Sequence, residues 1–242
     1  MSQNIYDEPG FFEGYSGLPR SKFGLEGAPE WPAIKEILPD LGGKDVVDLG
    51  CGFGWFARWA RTAGAASVLG LDLSENMIAR AKTDTDDAAI DYRIANLETL
   101  ELPAKRFDFA YSSLAFHYVA DFSRLAGEIA GSLRAGGQFV FSIEHPVFMA
   151  PASPGWIDVE GTRVWPLNHY LREGRRETDW LADGVVKYHR TIGTTLNVLI
   201  AHGFAIDHVL EWHPSPRQIE EMPVLEEEMD RPMILIVKAT LS

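Results

Sequence analysis

The stretch Asp45-Val46-Val47-Asp48-Leu49-Gly50-Cys51-Gly52-Phe53-Gly54-Trp55-Phe56-Ala57-Arg58-Trp59-Ala60 decides how this chain is read. Val46, Val47 and Leu49 form a short apolar run with β-branched members, the pattern of an interior parallel strand covered on both faces. Gly50, Gly52 and Gly54 then allow a sharp turn and a close backbone approach to a ligand. From Trp55 onward Phe56, Trp59 and Ala60 recur at helical spacing, so a helix starts with its free N–H groups facing the turn. Such an end attracts anionic groups, and a strand, glycine turn and helix in this order suit a nucleoside-containing ligand.

Outward from that unit, residues 67–71 read as a second strand ending at Asp72, with Ser74 placed to cap the next helix. Asp72 follows Gly50 by about the ~20 residues that set an acid against ribose hydroxyls in a βαβ unit. The glycine spacing separates two ligand classes. A dinucleotide fingerprint is G-x-G-x-x-G, but here Trp55 stands at the third glycine position and the chain reads G-x-G-x-G. An indole there leaves little room for a pyrophosphate on the helix.

This D-L-G-C-G-x-G form resembles motif I of the class I S-adenosylmethionine-dependent methyltransferases. Finer similarity, in Glu30-Trp31-Pro32, Gly52–Phe56, Ser142-x-Glu144-His145-Pro146 and Lys187-Tyr188-His189-Arg190-Thr191, extends to bacterial methyltransferase type 11 proteins of unassigned substrate. The resemblance implies a Rossmann-like α/β fold. Its seven-stranded, mostly parallel sheet has an antiparallel last strand, helices on both faces and a cap insertion. It also implies S-adenosylmethionine as cofactor, with Gly50 to Gly54, Cys51 and Gly52 among them, meeting its amino-acid portion, Asp72 its ribose, and Asp48 and Leu73 as further cofactor contacts.

Composition bounds the rest. A chain of 242 residues accommodates one large α/β domain. Its formal net charge of −13 argues against tracking a nucleic acid backbone, and so against a nucleic-acid methyltransferase. The single cysteine, Cys51, sits in the glycine turn, which points to a reducing compartment. With no basic amino-terminal region leading an apolar core, and no run of about 18 apolar residues, a cytoplasmic protein without membrane spans is expected.

In chain order, residues 1–28 carry many aromatics and are expected to form a lid over the site, with Tyr15, Arg20 and Gly27 as contacts. A helix is expected over 29–38, and another over 74–82 in which Met77 lies against a flat ring. A third strand over 90–94 leads to Asn96 and Leu97, which the resemblance assigns to the adenine. The run Phe107-Asp108-x-x-x-Ser112-x-x-x-x-His117-Tyr118 resembles the family's segment facing the transferred methyl group, and Ser112, Ser113, Leu114 and His117 are carried over from it. A helix over 122–133, a turn at 134–137 and a fifth strand over 138–143 lead to Glu144-His145-Pro146. Each of these residues also has a plain reading: a solvated Arg20, a core Met77, a turn-forming Asn96, and packing roles for His117 and His145.

Gly50, Asp72, Asn96, Ser112 and His145 all fall at carboxyl ends of strands, where open α/β sheets bind ligands. His145 and His117 are the candidate bases, because histidine titrates near neutrality. Periodicity breaks over 147–187, where aromatics recur; a cap is expected there, with a hairpin over 157–164 and an apolar or aromatic small-molecule acceptor beneath it. Tyr188, His189 and Arg190 are read as leading into a helix over 191–201 and as pocket candidates. Two strands close the chain, and Glu226, Glu227 and Glu228 between them are read as a solvated face. No metal ligand set stands out. The expected function is methyl transfer by direct displacement; a cofactor-binding regulatory protein and a nucleotide-dependent oxidoreductase use the same turn.

Overall fold

The computed structural model describes residues 3–242; the first two residues of the expected lid lie outside them. The strand read first becomes β1 (Asp45–Leu49), followed by β2 (Ser67–Asp72), β3 (Ile90–Ile94), β4 (Phe107–Ser113) and β5 (Leu133–Glu144). Two hairpins come next: β6 (Ile157–Val159) with β7 (Thr162–Val164), and β8 (Gly174–Thr178) with β9 (Val185–His189). The chain closes with β10 (Phe204–Glu211) and β11 (Ile234–Leu241). The main sheet has the order β10-β11-β5-β4-β1-β2-β3, and β11 runs antiparallel to both neighbours. This is the expected seven-stranded sheet with an antiparallel last strand.

Side-chain alternation along the strands builds two cores. Val46, Val68, Phe109 and Val140 pack on one face against α3 (Trp31–Ile37), α4 (Trp55–Thr62) and α5 (Glu75–Thr83). Val47, Leu71, Ala110, Phe139 and Phe141 pack on the other, against α6 (Phe122–Ser132) and α8 (Ile192–Ala201). Adjacent residues falling in opposite cores is the consequence of the two-residue strand period. Ser74 caps α5 as expected, accepting from Met77 N at 3.0 Å.

Several expectations change. The turn at 134–137 lies inside β5: Phe107 pairs with Leu133 and Phe109 with Gln138, so the intervening residues bulge, with Gly136 at φ 74°. The amino-terminal segment is short helices, α1 (Pro9–Ser16) and α2 (Pro19–Lys22), each opened by a proline. Lys187-Tyr188-His189 forms the end of β9, an unanticipated strand, and leads as expected into the helix capped by Thr191. Glu228 is buried rather than solvated, held by Arg231 at 3.0 Å and by Met233 N at 2.6 Å. Among the described residues no helix is long and apolar enough to cross a membrane.

Candidate functional site

The carboxyl ends of β1, β2, β4 and β5 open on a cavity of about 880 Å³. Its floor is the glycine turn. Gly50 has φ 78°, and a Cβ there would lie 2.5 Å from the Ala115 Cβ; neither the backbone nor the space admits another residue. At Gly52 a Cβ would meet nothing within 4 Å, so this backbone faces open space. Gly54 has φ 75°, caps α4 and leaves no room for a Cβ beneath the Tyr92 hydroxyl. Trp55 lines the cavity and covers Gly24, with the Arg58 guanidinium 4.7 Å above its ring.

Two carboxylates stand on this floor. Asp72 accepts from Gly52 N at 2.9 Å and from Ser74 N at 3.0 Å, tying the glycine turn to α5. Burial raises its pKa, and those two N–H groups oppose the rise. Asp48 is buried at the end of β1, and its Oδ2 has no hydrogen-bond partner. Burial, with the charge of Asp72 adding to it, pushes Asp48 up to about 8. A buried acid without a partner, beside an open glycine backbone, fits the ammonium and carboxylate of an amino acid. Burial also drives the pKa of the cavity-lining Cys51 thiol well up, favouring its protonated form.

Leu73, Met77, Asn96, Leu97, Ser113 and Leu114 all line the cavity. Asn96 also accepts from Glu98 N at 3.0 Å, so its ligand-facing and turn-forming readings hold together. Leu114 adopts φ 51° and donates its N–H to Ser142 O at 2.9 Å. Tyr15 and Arg20 reach the cavity from the amino-terminal segment. Arg20 is paired with Glu30 at 3.0 Å, so a ligand carboxylate would share it rather than find it free. Ser112 is the exception: fully buried, it donates to Leu49 O at 2.6 Å and braces β4 against β1, outside the cavity. Gly27 lies outside as well, against the Pro19 carbonyl.

Neither histidine stands as a base. His145 has no exposure and does not line the cavity; its Nδ1 accepts from Val147 N at 3.1 Å to cap α7 (Pro146–Met149), and its Nε2 meets Glu211 at 2.9 Å. His117 does line it, but Nδ1 accepts from Glu144 N at 3.3 Å. Burial, then Lys187 and Arg190, hold its pKa well below 6.5. The ring is therefore neutral with its lone pair engaged, a donor through Nε2–H.

The group that sequence reasoning passed over is Glu144, one residue earlier. It lines the cavity, pairs with Lys187 at 2.5 Å, and has its pKa raised by burial against the opposing pull of Lys187. Its place was readable in the strand phase: Val140, Ser142 and Glu144 share a face, and Ser142 bonds the cavity-lining Leu114. Lys187 was hidden because the strand that carries it was unanticipated. Of the pocket candidates beside it, His189 turns to Tyr170 O at 2.8 Å and Arg190 to Val119 O at 2.7 Å; neither they nor Tyr188 line the cavity.

The roof joins two distant segments. Tyr6 and Tyr118 meet hydroxyl to hydroxyl at 3.2 Å, and Trp180 packs edge-on against Phe11 and Tyr15. Gln3 donates to Gly184 O at 3.0 Å and accepts from Val186 N at 2.8 Å. Asp7 fixes the segment's other side by accepting from Glu75 N and Asn76 N at 3.2 Å.

Known proteins resemble this chain over most of its length. A methyltransferase-domain family matches residues 47–141. The chain is 58% identical to a structure of an S-adenosylmethionine-dependent methyltransferase from Mesorhizobium loti, with a TM-score of 0.86 over 90% of this chain and all of that one. An uncharacterized protein of Haemophilus influenzae is 34% identical over 92% of this chain and 94% of its own length. Malonyl-[acyl-carrier protein] O-methyltransferase of Pectobacterium atrosepticum is 34% identical over 52% of this chain, which spans about half of that enzyme.

Proposed function

Because the chain belongs to the S-adenosylmethionine-dependent methyltransferases, we propose that it methylates a small acceptor with an aromatic or otherwise apolar body, held between the glycine floor and the aromatic roof. The cofactor is S-adenosylmethionine, and family membership replaces the oxidoreductase reading. When bound, it supplies an electrophilic methyl group on a sulfonium, with a thioether as leaving group.

The observation that carries the reading is the buried, unpartnered Asp48 carboxylate beside the open Gly52 backbone, with Asp72 at the next strand end. In this assignment Asp48 faces the cofactor's ammonium and Asp72 takes the ribose hydroxyls on lone pairs left over from Gly52 and Ser74. Leu73, Met77, Asn96 and Leu97 receive the adenine. Ser113 and Leu114 border the methyl group.

Residues 3–28 act as a lid and 147–187 as a cap, and their rings exclude water and align the acceptor. Alignment of this kind is worth roughly 7–11 kcal/mol in favourable systems. Glu144 takes the acceptor's proton, a carboxylate whose raised pKa suits it to base work near neutrality. His117 donates its Nε2–H to orient the acceptor. A cavity of about 880 Å³ lies in the upper part of the ~300–1,000 Å³ usual for ligand pockets, which suits a cofactor and a small acceptor together.

Calorimetry with S-adenosylmethionine, followed by transfer of its labelled methyl to a panel of aromatic and aliphatic hydroxy and amino compounds, tests this. One cofactor per chain and label in a small product are expected. Label found only in protein or RNA overturns the small-acceptor reading.

A further inference from the structure

The inward face of the β8–β9 hairpin holds a feature that methyl transfer by itself does not require. Along β8, Gly174, Arg176 and Thr178 are half-buried while Arg175 and Glu177 are exposed, the alternation of a strand with one face covered; Glu177 also borders the cavity. Arg176 stands directly across from Lys187 in the hairpin register. Like charges in that position repel unless compensated.

Lys187 is compensated by Glu144 at 2.5 Å. Arg176 is not: among the described residues it has no acidic partner, and its terminal nitrogens reach only the carbonyls of Arg172 at 2.5 Å and Arg175 at 3.2 Å. Its Nε–H is buried with no acceptor, and so is the Thr178 hydroxyl two residues on. The acids alongside are committed elsewhere, Glu177 to Arg175 at 2.8 Å and Asp179 to Gly184 N at 3.1 Å. Burial alone lowers the Arg176 pKa, whereas Arg134 is raised by Asp108 and Asp45.

Both side chains line the cavity. There a guanidinium without a carboxylate partner stands beside two buried donors without acceptors, the Arg176 Nε–H and the Thr178 hydroxyl. An oxyanion, planar carboxylate or phosphate, removes both deficits at once, since guanidinium and hydroxyl donate to it together.

We propose that the acceptor carries an oxyanion, and that Arg176 and Thr178 hold it against the β8–β9 hairpin beside the Glu144–Lys187 pair. The proposal rests on the reading of this cavity as a methyl-acceptor site. It makes the acceptor an acid with an apolar body, and makes Arg176 a specificity-determining residue.

The test is calorimetric titration of the full chain, saturated with S-adenosylhomocysteine, with benzoate, phenyl phosphate and benzamide. Either anion is expected to bind at least about tenfold tighter than benzamide, and whichever leads identifies carboxylate or phosphate. Arg176→Gln removes that preference and Thr178→Val reduces it. Arg175→Gln, on the outward face, leaves it intact, and S-adenosylmethionine affinity and melting temperature stay unchanged in all three variants. Equal affinity for benzoate and benzamide, no binding of either anion, or a preference that survives Arg176→Gln overturns the proposal. Loss of S-adenosylmethionine binding by the unmodified protein overturns instead the function on which it rests.

Discussion

The floor and the roof of the cavity are made in different ways. The floor comes from strand ends and the turns that follow them between Asp48 and Leu114, and its parts are held by short hydrogen bonds between neighbouring strands, such as Gly52 N to Asp72 and Ser112 to Leu49 O. The roof comes from residues 3–28 and 147–187 and is held by contacts between residues far apart in sequence, such as Tyr6 with Tyr118 and Gln3 with Val186. A floor fixed by the sheet is suited to a cofactor that never changes. A roof assembled from irregular segments is free to be shaped to an acceptor, because its loops carry no load in the sheet. Floor variants should therefore alter cofactor affinity, and roof variants turnover.

The largest expected effect is at the carboxyl end of β5, on the acceptor side of the cavity. Glu144→Gln should lower kcat by about 10²–10⁴, the usual contribution of a positioned base, with the S-adenosylmethionine dissociation constant unchanged in calorimetry. A collapse of cofactor affinity in this variant would break the division between the two halves.

On the floor, the raised pKa of Asp48 ties cofactor affinity to pH. A neutral acid must lose its proton to meet the ligand ammonium, so binding releases a proton and tightens as pH rises through the range below about 8. From pH 6 to 8 the gain approaches about tenfold per unit and then levels off. Without ligand the sign is the reverse: the unfolded aspartate ionises near ~3.9 and the folded one near 8, so this residue's contribution to stability falls across that window. Titrations in buffers of different ionisation heat read the proton directly, and Asp48→Asn should flatten the profile.

Asp72→Ala should weaken S-adenosylmethionine more than about tenfold, about 1.4 kcal/mol, by removing the ribose acceptor and loosening Gly52. Unchanged affinity would take Asp72 out of the site. The smallest effect belongs to His145→Asn, which keeps a side-chain acceptor for Val147 N; kcat and cofactor affinity should stay within about twofold. A large fall in kcat with an unaltered melting temperature would return His145 to the chemistry.

The two halves differed equally in how far the sequence revealed them. The strand at Ile90–Ile94 and the Ser74 cap stand where periodicity and capping chemistry put them. The glycine turn was legible because each glycine meets a local demand, positive φ or a missing Cβ. Ser112 was misplaced by one step of the two-residue strand period: its neighbours Ser113 and Leu114 line the cavity and it points to β1. His145 was chosen among the histidines for its ordinary pKa, yet burial and a cap tie up its ring while the neighbouring Glu144 carboxylate, which was not considered, reaches the cavity.

The sequence by itself determined the strands, the helix caps and the glycine turn, since alternating apolar residues, caps and glycines act through neighbours a few residues away; the antiparallel last strand and the cofactor were implied by the family resemblance. Only the tertiary structure decided the acceptor side. Whether Glu144 finds a cation depends on a contact with Lys187, 43 residues away, and whether Arg176 is left without an acid depends on which acids the folded chain brings beside it. No local pattern encodes them, because a side chain's direction in an irregular segment is set by what it packs against rather than by the residues beside it.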